Sequence, residues 1–244
     1  MTSAIQKIVA VVPARGGSKG IRRKNLAELG GKSLLSWTID AAKRSGMVDR
    51  LIVSTEDEEI AAVAKAAGAE VPFKRPIELS RDDVHSVHVV FHALDWLREQ
   101  GQADPEGVMM LLPTSPLRCP EDIIGAVNLY RSRDARAVIS IVDLDKYMTN
   151  LRYLEGERVR MVAPEENKNA QRQGLKKLYG VNGSIYIARP ASLRSAGTFH
   201  LDGALGYVMD MLNSLDVNSN DDLALARHIC ETMEPWRRYA VVSP

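Results

Sequence analysis

The sequence predicts an α/β fold in which a mostly parallel central sheet carries helices on both faces. Short, continuously apolar runs recur along the chain, and the first of them, residues 8–12, is rich in β-branched side chains. Such runs are typical of strands that are buried on both faces. Segments with apolar residues at helical spacing separate the runs, and this alternation indicates βαβ units.

Each predicted element has its own local signal. Pro13 and Pro113 end the first and fourth strands, because proline cannot donate to a sheet ladder. Gly46 and Gly68 end the first two helices, and Pro120 suits the first turn of another. The predicted strands are residues 8–12, 51–53, 70–73, 108–112 and 137–142, and regular structure is expected to resume over residues 183–189. The predicted helices are residues 34–45, 57–67, 84–100, 120–133 and 220–233.

The alternation stops between residues 143 and 179, a polar segment without a clear period. A structureless loop of this length is uncommon inside a compact domain. We therefore predict one α/β domain over residues 1–244, with residues 143–179 forming an inserted arm that packs against a partner.

Bulk composition excludes several classes of protein. The chain has 244 residues, of which 45% are hydrophobic and 26% charged, and its formal net charge is +1. This balance provides no overall field that would collect nucleic acid, and no apolar stretch is long enough to span a membrane. The two cysteines, Cys119 and Cys230, lack metal-ligand spacing, so we expect reduced thiols in a cytoplasmic protein.

The strongest chemical signal is the sequence PARGGSKG at residues 13–20, followed by RRKN at residues 22–25. Paired glycines free backbone N–H groups to point at an anion, and five cationic side chains accompany them. A solvated basic loop or a nucleic-acid patch is the alternative. The position after a buried strand favours a phosphate site, because ligands of parallel sheets bind at the carboxyl ends of strands. The segment fits neither the P-loop nor the dinucleotide pattern.

This segment resembles the signature of the acylneuraminate cytidylyltransferase family. Five further similar segments follow in the same order along the chain. They are STEDEEIA at residues 54–61, RPIEL at 75–79 with Asp82 and Ser86, PTSPLR at 113–118, NGSIY at 182–186 and SLD at 214–216.

The resemblance implies a Rossmann-like nucleotidyltransferase that transfers CMP from CTP to the anomeric hydroxyl of a sialic-acid-like sugar and releases pyrophosphate. It also implies Mg²⁺ as cofactor and a homodimer built by the arm. The catalytic residues it implies are Arg15, Lys24 and Asp216. The nucleotide-binding residues are Arg15, Gly17, Ser18, Lys19, Lys24, Asn25, Arg75 and Ser86. The sugar-binding residues are Arg172, Gln173, Asn182 and Tyr186, with Arg172 facing the sugar carboxylate across the dimer interface. The metal ligands are Asp216 and Asn218.

Several of these residues also have a purely structural interpretation. Tyr186 alternates with apolar neighbours and fits ordinary sheet packing. Arg75 fits a loop cap, Asp216 a turn before a helix, and the PTSP run a rigid turn. His85, His88 and His92 recur at helical spacing, which is more typical of a polar helix stripe than of a metal site.

Four positions depart from the family pattern. Leu112 replaces a glutamine, Gly180 an arginine, and Asn218 a second aspartate, while Met148–Thr149 stands where a lysine is common. A pocket that lacks polar partners discriminates strongly between sugars, so we expect a legionaminic or pseudaminic type acid, or another acidic sugar. Two other functions stay open: a nucleotidyltransferase for another acidic sugar or base, and a non-catalytic nucleotide-binding relative.

Overall fold

The computed structural model describes residues 7–18, 20–144, 152–161 and 177–233. The strands are β1 (Ile8–Pro13), β2 (Glu28–Leu29), β3 (Lys32–Ser33), β4 (Arg50–Ser54), β5 (Gly107–Leu111), β6 (Ala137–Asp143), β7 (Arg152–Glu155), β8 (Arg158–Met161), β9 (Tyr179–Ala188) and β10 (Leu205–Met209). The α-helices are α1 (Leu34–Arg44), α2 (Glu58–Ala66), α3 (Ser86–Glu99), α4 (Pro120–Ser132), α5 (Pro190–Ala196) and α6 (Asn220–Met233). Two 3₁₀ helices span Lys24–Leu26 and Ile77–Ser80.

A six-stranded sheet forms the centre of the molecule, in the order β10-β6-β9-β5-β1-β4. Strand β1 pairs in parallel with β4 and β5, and β10 pairs in parallel with β6. Strand β9 lies antiparallel between β5 and β6. The predicted mostly parallel sheet is therefore confirmed, with one reversed strand joining its two parallel parts.

Side chains of β1 alternate between two apolar cores. Ala10 and Val12 pack in the core that includes residues of α1, α2 and α4, whereas Val9 and Val11 pack in the core that includes residues of α3 and α5. Because successive strand residues point to opposite faces, a continuously apolar strand requires cover on both sides. This arrangement confirms the prediction of helices on both faces.

The helices begin where the sequence supplies capping groups. The Ser33 hydroxyl accepts a hydrogen bond from the Ser36 amide at the start of α1. The Asp57 carboxylate accepts from the amides of Glu59 and Ile60 at the start of α2. Such caps satisfy amides that have no partner within the helix, so both helices start close to their predicted positions.

The predicted strand at residues 70–73 is wrong. Glu70 makes only an isolated parallel bridge with Ile52, and Pro72 follows two residues later. Because proline has no amide hydrogen, the pairing cannot continue as a regular ladder. Conversely, β10 and α5 are absent from the sequence prediction.

Two bulk expectations can be compared with the described residues. Cys119 and Cys230 are unpaired thiols, as predicted. Within residues 7–233, excluding the gaps given above, no helix combines the length and apolar character that a bilayer crossing requires.

The predicted arm lies mostly outside the described residues. Apart from its two ends, which join β6 and β9, its described part is the hairpin of β7 and β8, which are antiparallel. Tyr153, Leu154 and Val159 of this hairpin are 59%, 72% and 68% exposed. The dimerising role of the arm stays a prediction.

Candidate active site

A cleft of about 390 Å³ opens where β1 and β5 end. Because parallel strands place their carboxyl ends at one edge, the loops after Pro13 and Leu111 meet there. Seven of the eight predicted nucleotide-binding residues line this cleft: Arg15, Gly17, Ser18, Lys24, Asn25, Arg75 and Ser86. The eighth, Lys19, lies outside the described residues.

The basic loop, residues 14–25, is stabilised by hydrogen bonds and ion pairs. The amide nitrogen of buried Asn25 donates to the backbone carbonyl of Arg15 at 2.8 Å. Arg23 has a left-handed backbone (φ 52) and its guanidinium contacts Asp57 at 2.9 Å and Glu59 at 2.8 Å. The contacts of Arg23 fasten the loop to the start of α2, and residues on both sides of Arg23 line the cleft.

Arg75 projects a buried guanidinium into the wall of the cleft. Its side chain is only 3% exposed and donates from Nε to the Ser54 hydroxyl at 3.2 Å and from Nη2 to the Ser54 carbonyl. Burial lowers the pKa of Arg75 to about 10, so its charge is retained at neutral pH. Arg75 therefore braces the end of β4, in line with its structural interpretation, and it also lines the cleft. Its contact with the nucleotide stays a prediction.

Lys24 links the basic loop to the predicted metal ligands. Its ammonium donates to Asn218 Oδ1 at 3.0 Å, and Asn218 Nδ2 donates to Asp216 Oδ2 at 2.5 Å. Burial lowers the pKa of Lys24, although the Asp216 carboxylate acts in the opposite direction. A Cβ added at Gly20 would clash with the backbone carbonyl of Asn218, so the two loops approach as closely as a glycine allows.

The position of Asp216 suits a cation ligand. Its Oδ1 atom is buried, and no hydrogen-bond partner for this atom occurs among the described residues. A buried carboxylate oxygen is costly without a partner. No group of three acidic, histidine or cysteine side chains surrounds it in the described part of the chain. One carboxylate with an amide neighbour matches the sparse protein ligation that Mg²⁺ accepts when phosphates and waters complete its shell.

A second cavity, of about 310 Å³, adjoins the first and shares Ser86 and Leu112 with it. Tyr186 lines this cavity, and its ring packs against Phe199 and His200 at centroid distances of 5.5 and 6.0 Å. Burial raises the pKa of Tyr186, and the nearby Asp216 carboxylate adds to this effect. Tyr186 is thus packed in the sheet, as the structural interpretation has it, and also lines a cavity, while its contact with a sugar stays a prediction.

Asn182 does not line either of these cavities. Its Oδ1 accepts from the Ser140 hydroxyl at 2.6 Å, and its Nδ2 donates to the Ser214 hydroxyl at 2.8 Å. These bonds satisfy a buried amide and connect β6, β9 and the loop before Asp216. In the structure Asn182 therefore supports the loop before Asp216 through buried hydrogen bonds, in contrast to its predicted contact with the sugar.

Arg118 of the PTSPLR segment is also structural. It is 1% exposed, and its guanidinium donates to the Ser184 carbonyl at 2.6 Å and to the Thr38 hydroxyl at 2.9 Å. The same loop is tied to the Asp216 segment, since the Val217 amide donates to the Thr114 carbonyl at 2.7 Å. Arg118 and the backbone of the segment thus fit the rigid turn that was one of its predicted interpretations, while Pro113 and Thr114 line the first cleft.

Sequence reasoning missed two groups of lining residues. His85, Phe199 and His200 line the second cavity. None of them lies in a segment that resembles the family, and only His85 had a sequence signal, its helical spacing with other histidines. Arg81 lines the first cleft, beside Asp82, which the sequence had placed in a family segment without a role. Arg172, Gln173 and Met148–Thr149 lie outside the described residues, so their predicted roles stay predictions.

Two of the departures from the family pattern have clear positions. Leu112 lines both cavities, at their junction. Gly180 pairs with Val142 in the sheet, and a Cβ there would lie 2.9 Å from Leu144 Cδ1. A larger side chain at position 180 would therefore require Leu144 to move.

The α/β sheet and a cation-lined cleft at its carboxyl edge define a protein of the nucleotide-binding class. The family model for cytidylyltransferases matches residues 9–204, and the chain belongs to this family. It is 35% identical to an N-acylneuraminate cytidylyltransferase of Escherichia coli O18:K1:H7, across 90% of this chain and 51% of that protein. The chain therefore spans about half the length of that relative.

A second relative matches along nearly its full length. The CMP-N,N'-diacetyllegionaminic acid synthase of Legionella pneumophila is 32% identical, across 92% of this chain and 97% of that protein. Among solved structures, a CMP:2-keto-3-deoxy-manno-octonic acid synthetase complexed with CTP superposes with a TM-score of 0.69 at 15% identity, covering 93% of this chain and 99% of that one. At that identity the superposition establishes the common fold.

Proposed function

We propose that this chain is a cytoplasmic enzyme that transfers CMP from CTP to the anomeric hydroxyl of a sialic-acid-like (nonulosonic) acid sugar. The observation that carries the proposal is the convergence of Arg15, Lys24 and Arg75 on one cleft in a member of the cytidylyltransferase family. Three cations at the carboxyl ends of parallel strands match the charge of a triphosphate.

The reaction forms one bond and breaks another at the α-phosphorus. The anomeric oxygen bonds to the α-phosphorus, the bond to the bridging β-phosphate oxygen breaks, the hydroxyl proton passes to solvent, and pyrophosphate leaves. Arg15 and Lys24 would neutralise the charge that grows on the leaving group, which is the main catalytic contribution in phosphoryl-type transfers. Asn25 would keep the loop closed, because its amide already bonds to the Arg15 carbonyl.

Mg²⁺ is the cofactor that fits the residues present. Asp216 would hold it through Oδ1, the buried oxygen without a described partner, and Asn218 would orient Asp216 through its 2.5 Å hydrogen bond. When bound, the ion would polarise phosphoryl oxygens and neutralise their charge.

The second cavity supports an acidic sugar as acceptor. It adjoins the nucleotide cleft at Leu112 and Ser86, so an anomeric hydroxyl in it would lie beside the phosphates. Leu112 offers no hydrogen bond where the family pattern has glutamine. We therefore favour a legionaminic or pseudaminic type sugar over N-acetylneuraminate, and the Legionella pneumophila relative is named for such a sugar.

A homodimer completes the proposal. The hairpin of β7 and β8 exposes three large apolar side chains, and exposed apolar patches commonly mark association surfaces. The arm would bring Arg172 of each chain to the sugar carboxylate in the partner's site. Light scattering at micromolar concentration should give the mass of a dimer, and a monomeric mass would contradict this part of the proposal.

Pyrophosphate release is the direct test of the activity. The chain, Mg²⁺ and each of CTP, UTP, GTP and ATP should be combined with a panel of eight- and nine-carbon keto acid sugars. We expect release only with CTP and a nonulosonic acid. Dominant activity with UTP or GTP, or with an eight-carbon sugar, would instead favour the alternative of a related nucleotidyltransferase.

The missing carboxylate at Asn218 is the one observation in favour of a non-catalytic relative. Asp216→Ala distinguishes the two functions, because it removes the remaining carboxylate. The non-catalytic alternative is excluded if the unsubstituted chain turns over and Asp216→Ala does not.

A further inference from the structure

The basic loop already holds anions that the protein itself supplies. Arg15 Nη2 contacts Asp82 Oδ1 at 2.6 Å, and Arg15 Nη1 donates to the Ser80 carbonyl at 3.1 Å. The Gly16 amide donates to Glu56 Oε1 at 2.7 Å. Asp82 therefore binds a side chain, that of Arg15, for which the proposed function requires a phosphate, and Glu56 binds the adjacent backbone amide.

These contacts form a closed ring. The second oxygen of Glu56 accepts from the Ser80 hydroxyl at 2.9 Å, so Glu56 bridges the basic loop to the 3₁₀ helix that precedes Asp82. Ser80 and Asp82 in turn hold the guanidinium of Arg15. The ring therefore fixes the end of the Arg15 side chain against Ser80 and Asp82.

Stability alone does not account for Asp82. The side chains of Arg15 and Asp82 are 32% and 45% exposed, and ion pairs at this exposure contribute little to the free energy of unfolding. A carboxylate in the wall of a triphosphate cleft also opposes binding by charge repulsion. Its presence there requires a benefit that outweighs the repulsion.

Arginine has five N–H donors in a rigid plane, and two bonds to the protein leave the other donors available. Holding Nη1 and Nη2 restricts the torsions of a long side chain and so fixes where the remaining donors point. Donors that are oriented in advance stabilise developing charge without reorganisation during the reaction.

We propose that Asp82 is a positioning residue that orients the Arg15 guanidinium toward the leaving pyrophosphate. This role rests on the proposed function, because it assumes that Arg15 acts on that group. Asp82 itself touches Arg15 and does not need to touch the substrate.

Steady-state kinetics of Asp82→Asn test the role, because asparagine keeps the shape and removes the charge. We expect kcat to fall about tenfold, KM for CTP to change less than about twofold, and the midpoint of thermal unfolding to stay within error. Asp104→Asn is the matched control, since Asp104 forms a comparable pair with Arg98 at 2.5 Å and does not line the cleft. It should retain the kcat of the parent.

A double-mutant cycle shows whether Asp82 acts through Arg15. In an Arg15→Ala background, Asp82→Asn should have no further effect on kcat, because the group that it positions is gone. An equal loss in both backgrounds would overturn the proposal. So would tighter CTP binding with unchanged kcat, which would show that Asp82 merely restrains Arg15 in the empty enzyme.

The turnover of the unsubstituted chain (the parent) separates the positioning role of Asp82 from the proposed function. A parent without turnover on any acidic sugar would overturn both. A parent with turnover and an Asp82→Asn variant with the same kcat would overturn only the positioning role.

Discussion

Gly16→Ala is the most informative single substitution in the basic loop. A Cβ added at Gly16 would lie 2.6 Å from Asp57 Oδ2 and 3.1 Å from Asp57 Cβ. Asp57 is poorly able to move, because its Oδ1 accepts from the amides of Glu59 and Ile60, at 3.0 Å each, and from Arg23 at 2.9 Å. The new methyl group therefore forces either the helix cap or the loop to shift by at least about 0.5 Å, because a Cβ essentially never lies closer than 3.0 Å to such an atom.

The two responses have measurable sizes. Loss of the Asp57 cap would cost about 1 kcal/mol, which lowers the unfolding midpoint of a chain of this size by about 2–4 °C. If the loop shifts instead, catalysis suffers. Misplacement of catalytic groups by 1 Å costs about a hundredfold in rate. If the barrier rises in proportion to the displacement, a shift of about 0.5 Å lowers kcat/KM about tenfold. Thermal unfolding and pyrophosphate release measure the two effects on one sample.

Gly17→Ala is the matched control for stability. No heavy atom lies within 4 Å of a Cβ at Gly17, and neither glycine has the positive φ that disfavours alanine. Both substitutions restrict the unfolded chain equally, so only the contact with Asp57 differs. Gly17→Ala should unfold at or slightly above the midpoint of the parent. A Gly16→Ala variant with the midpoint and kcat/KM of the parent would refute the reasoning.

Four further predictions follow from the site. Arg15→Ala should lower turnover at least about a hundredfold with little change in the unfolding midpoint, and an unfolded variant would reveal a structural residue instead. Since the pKa of Lys24 is lowered, kcat/KM should fall as the pH rises through that pKa, which lies below the pKa of an ordinary lysine. Lys24→Arg should move this fall in kcat/KM to higher pH, and identical pH profiles would contradict the role of Lys24. Asn218→Asp should tighten Mg²⁺ binding measured by calorimetry without CTP, and an unchanged affinity would argue against a metal at this position. Leu112→Gln should shift the ratio of kcat/KM values toward N-acetylneuraminate by about tenfold, whereas an unchanged ratio would remove Leu112 from substrate selection.

Much of the site follows from local signals in the sequence. The basic loop, the strand before it and the proline that ends this strand are local features, and their placement at the edge of a parallel sheet follows from a general rule. For this reason the loop of Arg15, Lys24 and Asn25 was predicted at this edge, whereas Arg75 and Ser86 were predicted from the family resemblance; all five are found around one cleft.

Other features depend on contacts between distant residues. Strand β10, with the sequence LGYVM, was missed because Gly206 interrupts its apolar run and weakens the strand signal. Its place at the edge of the sheet has no local signal. The pairing of Arg15 with Asp82 and the approach of His200 to Tyr186 also have no local signal. Nor does the burial of Asn182, whose partners Ser140 and Ser214 are 42 and 32 residues away.

The sequence by itself determined the alternation of strands and helices, the cation-rich loop and the family. Periodicity, turn residues and motif order are properties of neighbouring residues, so they can be seen without a fold. Only the tertiary structure decided that β9 runs antiparallel between β5 and β6, and which side chains of the motifs face the cleft. The physical reason is that strand order and side-chain convergence result from packing across the whole sheet, where each contact depends on residues far away in the chain.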